Sequence, residues 1–318
     1  SLNHNLIHVL RRMKYMSFKD TLIGLFIIML WGMNFVVVAW GLNDLPPLLL
    51  GAGRFLFVAI LGSIFIRSPD VPKRWLALYA STISVGQFAF LFLAMHMGMP
   101  AGLASLVLQS QAIFTAIFAV LWLNEKVTSR QVIALVISCT GLIVIGYSYD
   151  NSNMTAIGFG LTLGAAMCWA LGNIVNKLIV KKGYQADMSI VVWSAWFAAP
   201  PFLLGSLYFE GSERIINSLA LFSWETLAAL LYLSLAASIL GFGLWSRLLA
   251  KYPAALVTPM SLGVPVFGFA SAAFFLDERI NGQQGWGIAL VLFGLIIHTL
   301  GKPIQLSVKR IFQASKSQ

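Results

Sequence analysis

Apolar residues run along this chain in blocks, and short gaps with proline, glycine and charge separate them. A helix rises 1.5 Å per residue and the hydrocarbon core of a bilayer is about 30 Å thick, so about 20 apolar residues carry one helix across it. Ten stretches meet that length: Thr21–Trp40, Pro46–Ile66, Trp75–Met97, Ala101–Leu123, Gln131–Tyr147, Ala156–Ile179, Met188–Phe209, Trp224–Leu248, Pro253–Leu276 and Gln284–Leu300. The gaps hold breakers such as Pro46, Pro47, Pro69, Pro72, Pro100 and Pro253, and none is long enough to fold as a soluble domain. The pattern predicts an all-α polytopic membrane protein with ten transmembrane helices, since helices satisfy their own backbone inside lipid.

Composition removes the other classes. Of 318 residues, 59% are AVILMFWYC and only 10% are charged, where about 25% charged is usual in a soluble domain. Mean hydropathy is +0.84. A soluble globule this apolar would expose large greasy patches, and disorder needs the opposite composition. The net charge of +10 first suggests nucleic acid, but the placement of the cations gives another cause. With the N-terminal side taken as inside, only Arg214 and Arg279 fall in outer segments and Arg54 falls within a span; every other Lys and Arg is inside. That bias predicts both termini in the cytoplasm. Residues 1–19 form a basic N-terminal segment and 301–318 a basic tail at the inner surface. Residues 1–19 do not read as a cleaved signal, because the apolar run that follows is too long for a signal core.

The sequence also repeats itself. Residues 100–141 and 253–294 align without a gap at an offset of 153, with Pro100-Ala101-Gly102-Leu103 facing Pro253-Ala254-Ala255-Leu256. Leu123-Asn124-Glu125-Lys126 faces Leu276-Asp277-Glu278-Arg279, Gln131 faces Gln284 and Gly141 faces Gly294. Each half therefore holds five spans, residues 20–147 and 156–300, and an odd number makes the second half enter from the opposite side. Two inverted five-helix repeats form the plan of many secondary transporters. Glu125 and Glu278 are expected to lock helix ends through Lys126 and Arg279.

Polar groups inside spans mark chemistry, because hydrocarbon penalises them unless they pair or face water. Arg54 lies eight residues past Pro46, about 12 Å deep. A guanidinium suits bidentate recognition of a carboxylate; the alternative is a structural Arg held by carbonyls or snorkelling outward. Gln87, Gln109 and Gln111 are mid-span; Ser105 with Gln109, and Gln111 with Thr115, are at i, i+4. Trp31 and Asn34 are at i, i+3, and Trp169, Asn173 and Asn176 form one stripe. These side chains read as a polar cavity with indole walls, or as interhelical glue. The carboxylates all fall at span ends or in loops. Cys139 and Cys168 lie in apolar runs as packing residues, and His4, His8, His96 and His298 have no ligand spacing. No GxxxxGK[ST], HExxH or GxSxG occurs, so neither a cofactor, a metal nor an enzymatic activity is expected.

Several motifs together carry a family resemblance: Trp31-Gly32-Met33-Asn34-Phe35-Val36, Pro46-Pro47 followed by Arg54-Phe55, and Gln87-Phe88-Ala89-Phe90-Leu91-Phe92. The most specific runs from Gly98-Met99-Pro100-Ala101-Gly102-Leu103 through Gln109; the second half adds Trp169-Ala170, Gly172-Asn173-Ile174 and Leu276-Asp277-Glu278-Arg279. Over residues 17–300 the chain resembles the EamA-type transporters of the drug/metabolite transporter superfamily, in particular their bacterial O-acetylserine/cysteine exporters. Asn124-Glu125-Lys126 departs from the family's more usual Gly-Glu-Arg. The resemblance implies an inner-membrane location, efflux of amino-acid metabolites, and a cavity lined by the first four helices of each half. On that expectation Arg54 meets a substrate carboxylate; Asn34, Gln87, Gln109, Gln111 and Asn173 hydrogen-bond the rest; Trp31 and Trp169 are walls. Expected partners are a small-molecule amino acid or derivative, membrane lipids and a possible second copy of the chain as a homodimer, and no nucleic acid. The rival readings are a drug or sugar-nucleotide transporter on the same scaffold and, in another class, an intramembrane enzyme.

Overall fold

Ser17 opens the first helix: its side chain accepts the Asp20 amide at 3.2 Å and supplies a partner that the first helical turn lacks. Helix α1 (Phe18–Asp44) follows, then α2 (Pro47–Phe65), α3 (Lys73–His96), α4 (Ala101–Leu123) and α5 (Ser129–Gly146). The second half holds α6 (Ala156–Lys181), α7 (Met188–Glu210) and the short α8 (Ser212–Ala220). Helix α9 runs through Trp224–Leu231, Tyr232–Leu240 and Gly241–Lys251; α10 is Val264–Leu276, entered through a 3-10 stretch Thr258–Gly263; α11 is Gly282–Ile297. This is a computed structural model describing residues 16–123, 129–148, 153–251 and 258–297; among them every element is a helix and there is no strand. Pro253, Asn124, the Glu125–Lys126 pair, His4, His8, His298 and the basic segments 1–15 and 301–318 lie outside the described residues.

Seven helices, α1, α2, α3, α4, α6, α7 and α9, are long and apolar enough to cross a membrane. Val132–Gly146, Met260–Leu276 and Gly282–Ile297 are shorter apolar helices. Helix α8 is the element that the block pattern misses. None of its nine residues is buried, and Glu213, Arg214, Ile216 and Leu219 all stay exposed. Such a short amphipathic turn carries no 20-residue signal, and its composition suits the interface between lipid and water.

Lipid tails are as apolar as the helices, so close packing has to hold the bundle together. At Gly32 a Cβ would stand 2.5 Å from Phe267 Cβ and 2.9 Å from the Gly268 amide nitrogen, so α1 and α10 meet backbone to backbone. Gly141 of α5 faces Gly287 and Val291 of α11, and its repeat partner Gly294 faces Ser138 of α5. Helix α2 packs on α7, and α3 on α6. Ala101–Ser110 is buried at every position, which makes the first turns of α4 the centre of one end of the bundle.

Candidate functional site

A cavity of about 640 Å³ lies between the halves. Residues of α1, α2, α3, α4, α6, α7 and α9 line it, with Ser261 and Val264 at the start of α10; among the described residues neither α5 nor α11 contributes to the lining. That is the division the resemblance implied. All eight residues expected at the site line it: Trp31, Asn34, Arg54, Gln87, Gln109, Gln111, Trp169 and Asn173. The third member of the α6 stripe, Asn176, lines it as well.

Arg54 is buried, with 3% of its surface exposed. Its Nη1 donates to Asn34 Oδ1 of α1 at 3.1 Å and its Nη2 to Ser238 Oγ of α9 at 3.0 Å. Its Cζ sits 4.1 Å from the centre of the Phe88 ring, within reach of a cation–π contact. These partners are neutral, and among the described residues no carboxylate pairs with Arg54. A guanidinium has five N–H donors, so donors remain beyond the two used. A buried cation with no counter-ion is costly, and an anionic group arriving in the cavity would relieve that cost.

The amides divide into two sets. Gln87 and Gln109 are both buried yet line the cavity, and among the described residues their side chains have no hydrogen-bond partner. They offer both carbonyl and amino groups to a guest. Asn173 Nδ2 instead donates to Gln111 Oε1 at 2.7 Å and Thr115 Oγ1 at 3.1 Å, and Thr115 Oγ1 contacts Gln111 Oε1 at 3.3 Å. This set ties α4 to α6 while facing the cavity, so the glue and cavity readings both hold for it. Trp31 is anchored by Nε1 donating to the Ala237 carbonyl at 3.0 Å, and its ring packs 5.2 Å from Phe242 and 5.3 Å from Trp245. Among the described residues no three His, Cys, Asp or Glu side chains gather as metal ligands would.

Ser105 and Gln109 do not act together as their spacing suggested. A 3-10 turn at Leu108–Ser110 intervenes. Ser105 points at Gly268 and donates to the Gly102 carbonyl at 2.6 Å, and Gln109 faces the cavity. Equivalent irregularities recur at the cavity in both halves. Helix α3 carries a π stretch at Ala80–Gly86 and α9 one at Tyr232–Leu240; α4 has its 3-10 turn and α10 begins with one. Irregular backbone at membrane depth is tolerated where it lines a cavity, and π-bulges cluster at functional sites. The α9 stretch supplies Ser238, which the sequence reading missed. Its hydroxyl spans five residues back to the Leu233 carbonyl at 2.8 Å while accepting from Arg54. The available signal was faint: Ser84, Ser234 and Ser238 are small hydroxyls in apolar runs, with Gly86 and Gly241 just beyond.

Beyond its lower walls the cavity reaches the α6–α7 connection, where Ala186 and the exposed Asp187 line it. Lys177, Lys181 and Lys182 precede that connection. The cavity therefore opens toward the basic end of the bundle.

The chain's relatives agree with this architecture. The profile of the EamA-like transporter family matches it twice, over residues 20–147 and 156–300. A protein of Escherichia coli (strain K12) named "Probable amino-acid metabolite efflux pump" is 43% identical over 296 residues, covering 92% of this chain and 99% of the relative. A protein of the same name from Salmonella typhimurium is 46% identical over 288 residues, covering 90% and 96%. A crystal structure at 18% identity shares the fold with a TM-score of 0.60, covering 89% of this chain and 96% of the other.

Proposed function

Because the chain belongs to the EamA-like transporter family, we propose that it is a secondary exporter of small polar amino acids and their derivatives, with cysteine and O-acetylserine as leading substrates. The observation that carries this reading is Arg54: one buried guanidinium with no carboxylate partner among the described residues, in a cavity whose wall also presents amides, serine hydroxyls, aromatic rings and aliphatic side chains. A substrate carboxylate takes the remaining Nη donors, since the planar fork matches a carboxylate. The carbonyl oxygens of Gln87 and Gln109 accept from the ammonium group, and Trp31 and Trp169 flank the side chain. The names of the Escherichia coli and Salmonella relatives support the same substrate class.

The transport cycle in this reading is alternating access. Ten spans form two five-helix halves, residues 20–147 and 156–300, inserted in opposite senses in the inner membrane with both termini cytoplasmic. The Lys and Arg bias supports that orientation, and it makes the basic end, where the cavity opens, the loading side. The halves then rock about the site.

A sugar-nucleotide carrier on this scaffold would hold two phosphates, and the described cavity wall offers them a single cation, Arg54. Counterflow of labelled cysteine and O-acetylserine in proteoliposomes tests the assignment. Both substrates should exchange, and cysteine methyl ester, which lacks the carboxylate, should compete at least about thirtyfold less well than cysteine. Equal competition by the ester would contradict the role given to Arg54; failure of both amino acids with uptake of a sugar nucleotide would favour the rival.

A further inference from the structure

Two pairs of helices join the halves end to end, and they are tied differently. Helices α2 and α7 are fastened at both ends. Near the basic end Trp193 Nε1 donates to the Ile66 carbonyl at 3.0 Å and Trp196 Nε1 to Ser63 Oγ at 2.9 Å. At the far end Glu210 accepts the Leu48 and Leu49 amides at 2.7 and 3.2 Å, and the Ser206 hydroxyl at 2.6 Å.

Helices α4 and α10 meet at the far end. Ala101–Val107 packs on α10, whereas Gln111–Leu123 packs on α6. Between these segments lie the cavity-lining Leu108, Gln109, Gln111 and Ala112. The seam closes with Glu278, whose carboxylate accepts the Ala101 amide at 2.6 Å and the Gly102 amide at 2.9 Å. Pro100 precedes α4 and provides no side-chain cap, so a carboxylate 177 residues away in the second half satisfies two of its orphan donors. One turn further in, Ser105 of α4 fits against Gly268 of α10. Glu278 lies at the end of the bundle opposite the cavity's opening: it caps α4 just after α3 has ended at His96, and the cavity's α3 residues run from Tyr79 to Leu91.

We infer that Glu278 is the latch of the far gate and that the α2–α7 pair, with Glu210 as a fixed staple, is the axis about which the halves turn. The inference deepens the carrier reading and rests on it. With the latch made, the cavity opens toward the basic end alone. When the Ala101 and Gly102 amides release Glu278, α4 parts from α10 at Ser105 and Gly268, and the same cavity opens at the other end. The α2–α7 pair, held at both ends, keeps its contacts throughout.

The test reads accessibility and needs no substrate. Ser105→Cys, in a background with Cys139 and Cys168 replaced by alanine, reports on the seam through its labelling by a membrane-impermeant maleimide; Ala186→Cys reports on the basic end, which should become less accessible as the seam opens. Glu278→Gln leaves one acceptor for two amides and sets an NH2 group against the other. Ala101→Pro removes a donor from the opposite partner, at the first helical position where proline is tolerated. Each should raise labelling at position 105 about tenfold, with the double variant little beyond either single one, while Glu210→Gln leaves position 105 protected. Unchanged labelling in Ala101→Pro and Glu278→Gln overturns the latch, and an equal rise in Glu210→Gln overturns the distinction between gate and axis. Should Glu278→Gln fail to fold, as loss of a monodisperse peak in detergent size-exclusion chromatography would show, Ala101→Pro alone decides. A wrong substrate assignment would leave these labelling results untouched and appear only in counterflow.

Discussion

Arg54→Ala is expected to reduce counterflow of cysteine at least about thirtyfold while leaving a folded protein. The two effects separate because of how Arg54 is held. Its hydrogen-bond partners are the neutral Asn34 and Ser238, so its removal strands no buried counter-charge. The two groups left behind border the cavity wall, where water can replace the lost donor, and the stability change should stay near about 1 kcal/mol. Arg54→Lys keeps the charge but loses the fork, and should recover only part of the rate. Thermal melting in detergent beside counterflow in proteoliposomes checks both halves of the expectation. A variant that melts normally and exchanges at the parent rate removes Arg54 from substrate binding.

Gly32→Leu should have the largest effect on stability. At Gly32 the nearest neighbours of an added Cβ are Phe267 and the Gly268 backbone, at 2.5 and 2.9 Å. A flexible side chain can swing away from such an intrusion; a helix backbone moves only if α1 and α10 separate. Gly268 also abuts Ser105 of α4, so the displacement spreads to a third helix beneath the cavity. Overpacking of this kind costs about 3 kcal/mol or more, and the bilayer offers no compensating hydrophobic gain. Gly32→Ala should lower the melting temperature less than Gly32→Leu. Equal melting of Gly32→Leu and the parent would mean that the α1–α10 contact is looser than described.

Much of this was legible in the chain. A block of about 20 apolar residues has one use in a bilayer, so the long helices follow from run length. The polar residues that line the cavity were legible for a related reason: in a span a charge or amide needs a partner or water, and Arg54, Asn34, Gln87, Gln109, Gln111 and Asn173 stand out against apolar neighbours. What the sequence concealed was geometry that depends on other helices. The π stretch that turns Ser238 toward Arg54 has ordinary helix-forming residues, and no local pattern marks it. Phe88 looks like one more apolar residue until the fold sets it against Arg54. Glu278 was expected to act through Arg279 beside it, yet it caps α4 across the interface between the halves, a contact that sequence proximity could not suggest.

The central claim is that the two halves cross the membrane in opposite senses. Ser129 and Gly282, which begin α5 and α11, are equivalent under the 153-residue offset, and both are exposed. Cysteines placed singly at these positions, without Cys139 and Cys168, can be treated with an impermeant maleimide in intact cells and again after permeabilisation. The account predicts labelling of Gly282→Cys in intact cells and of Ser129→Cys only once the cells are opened; labelling of both from the same side would contradict it.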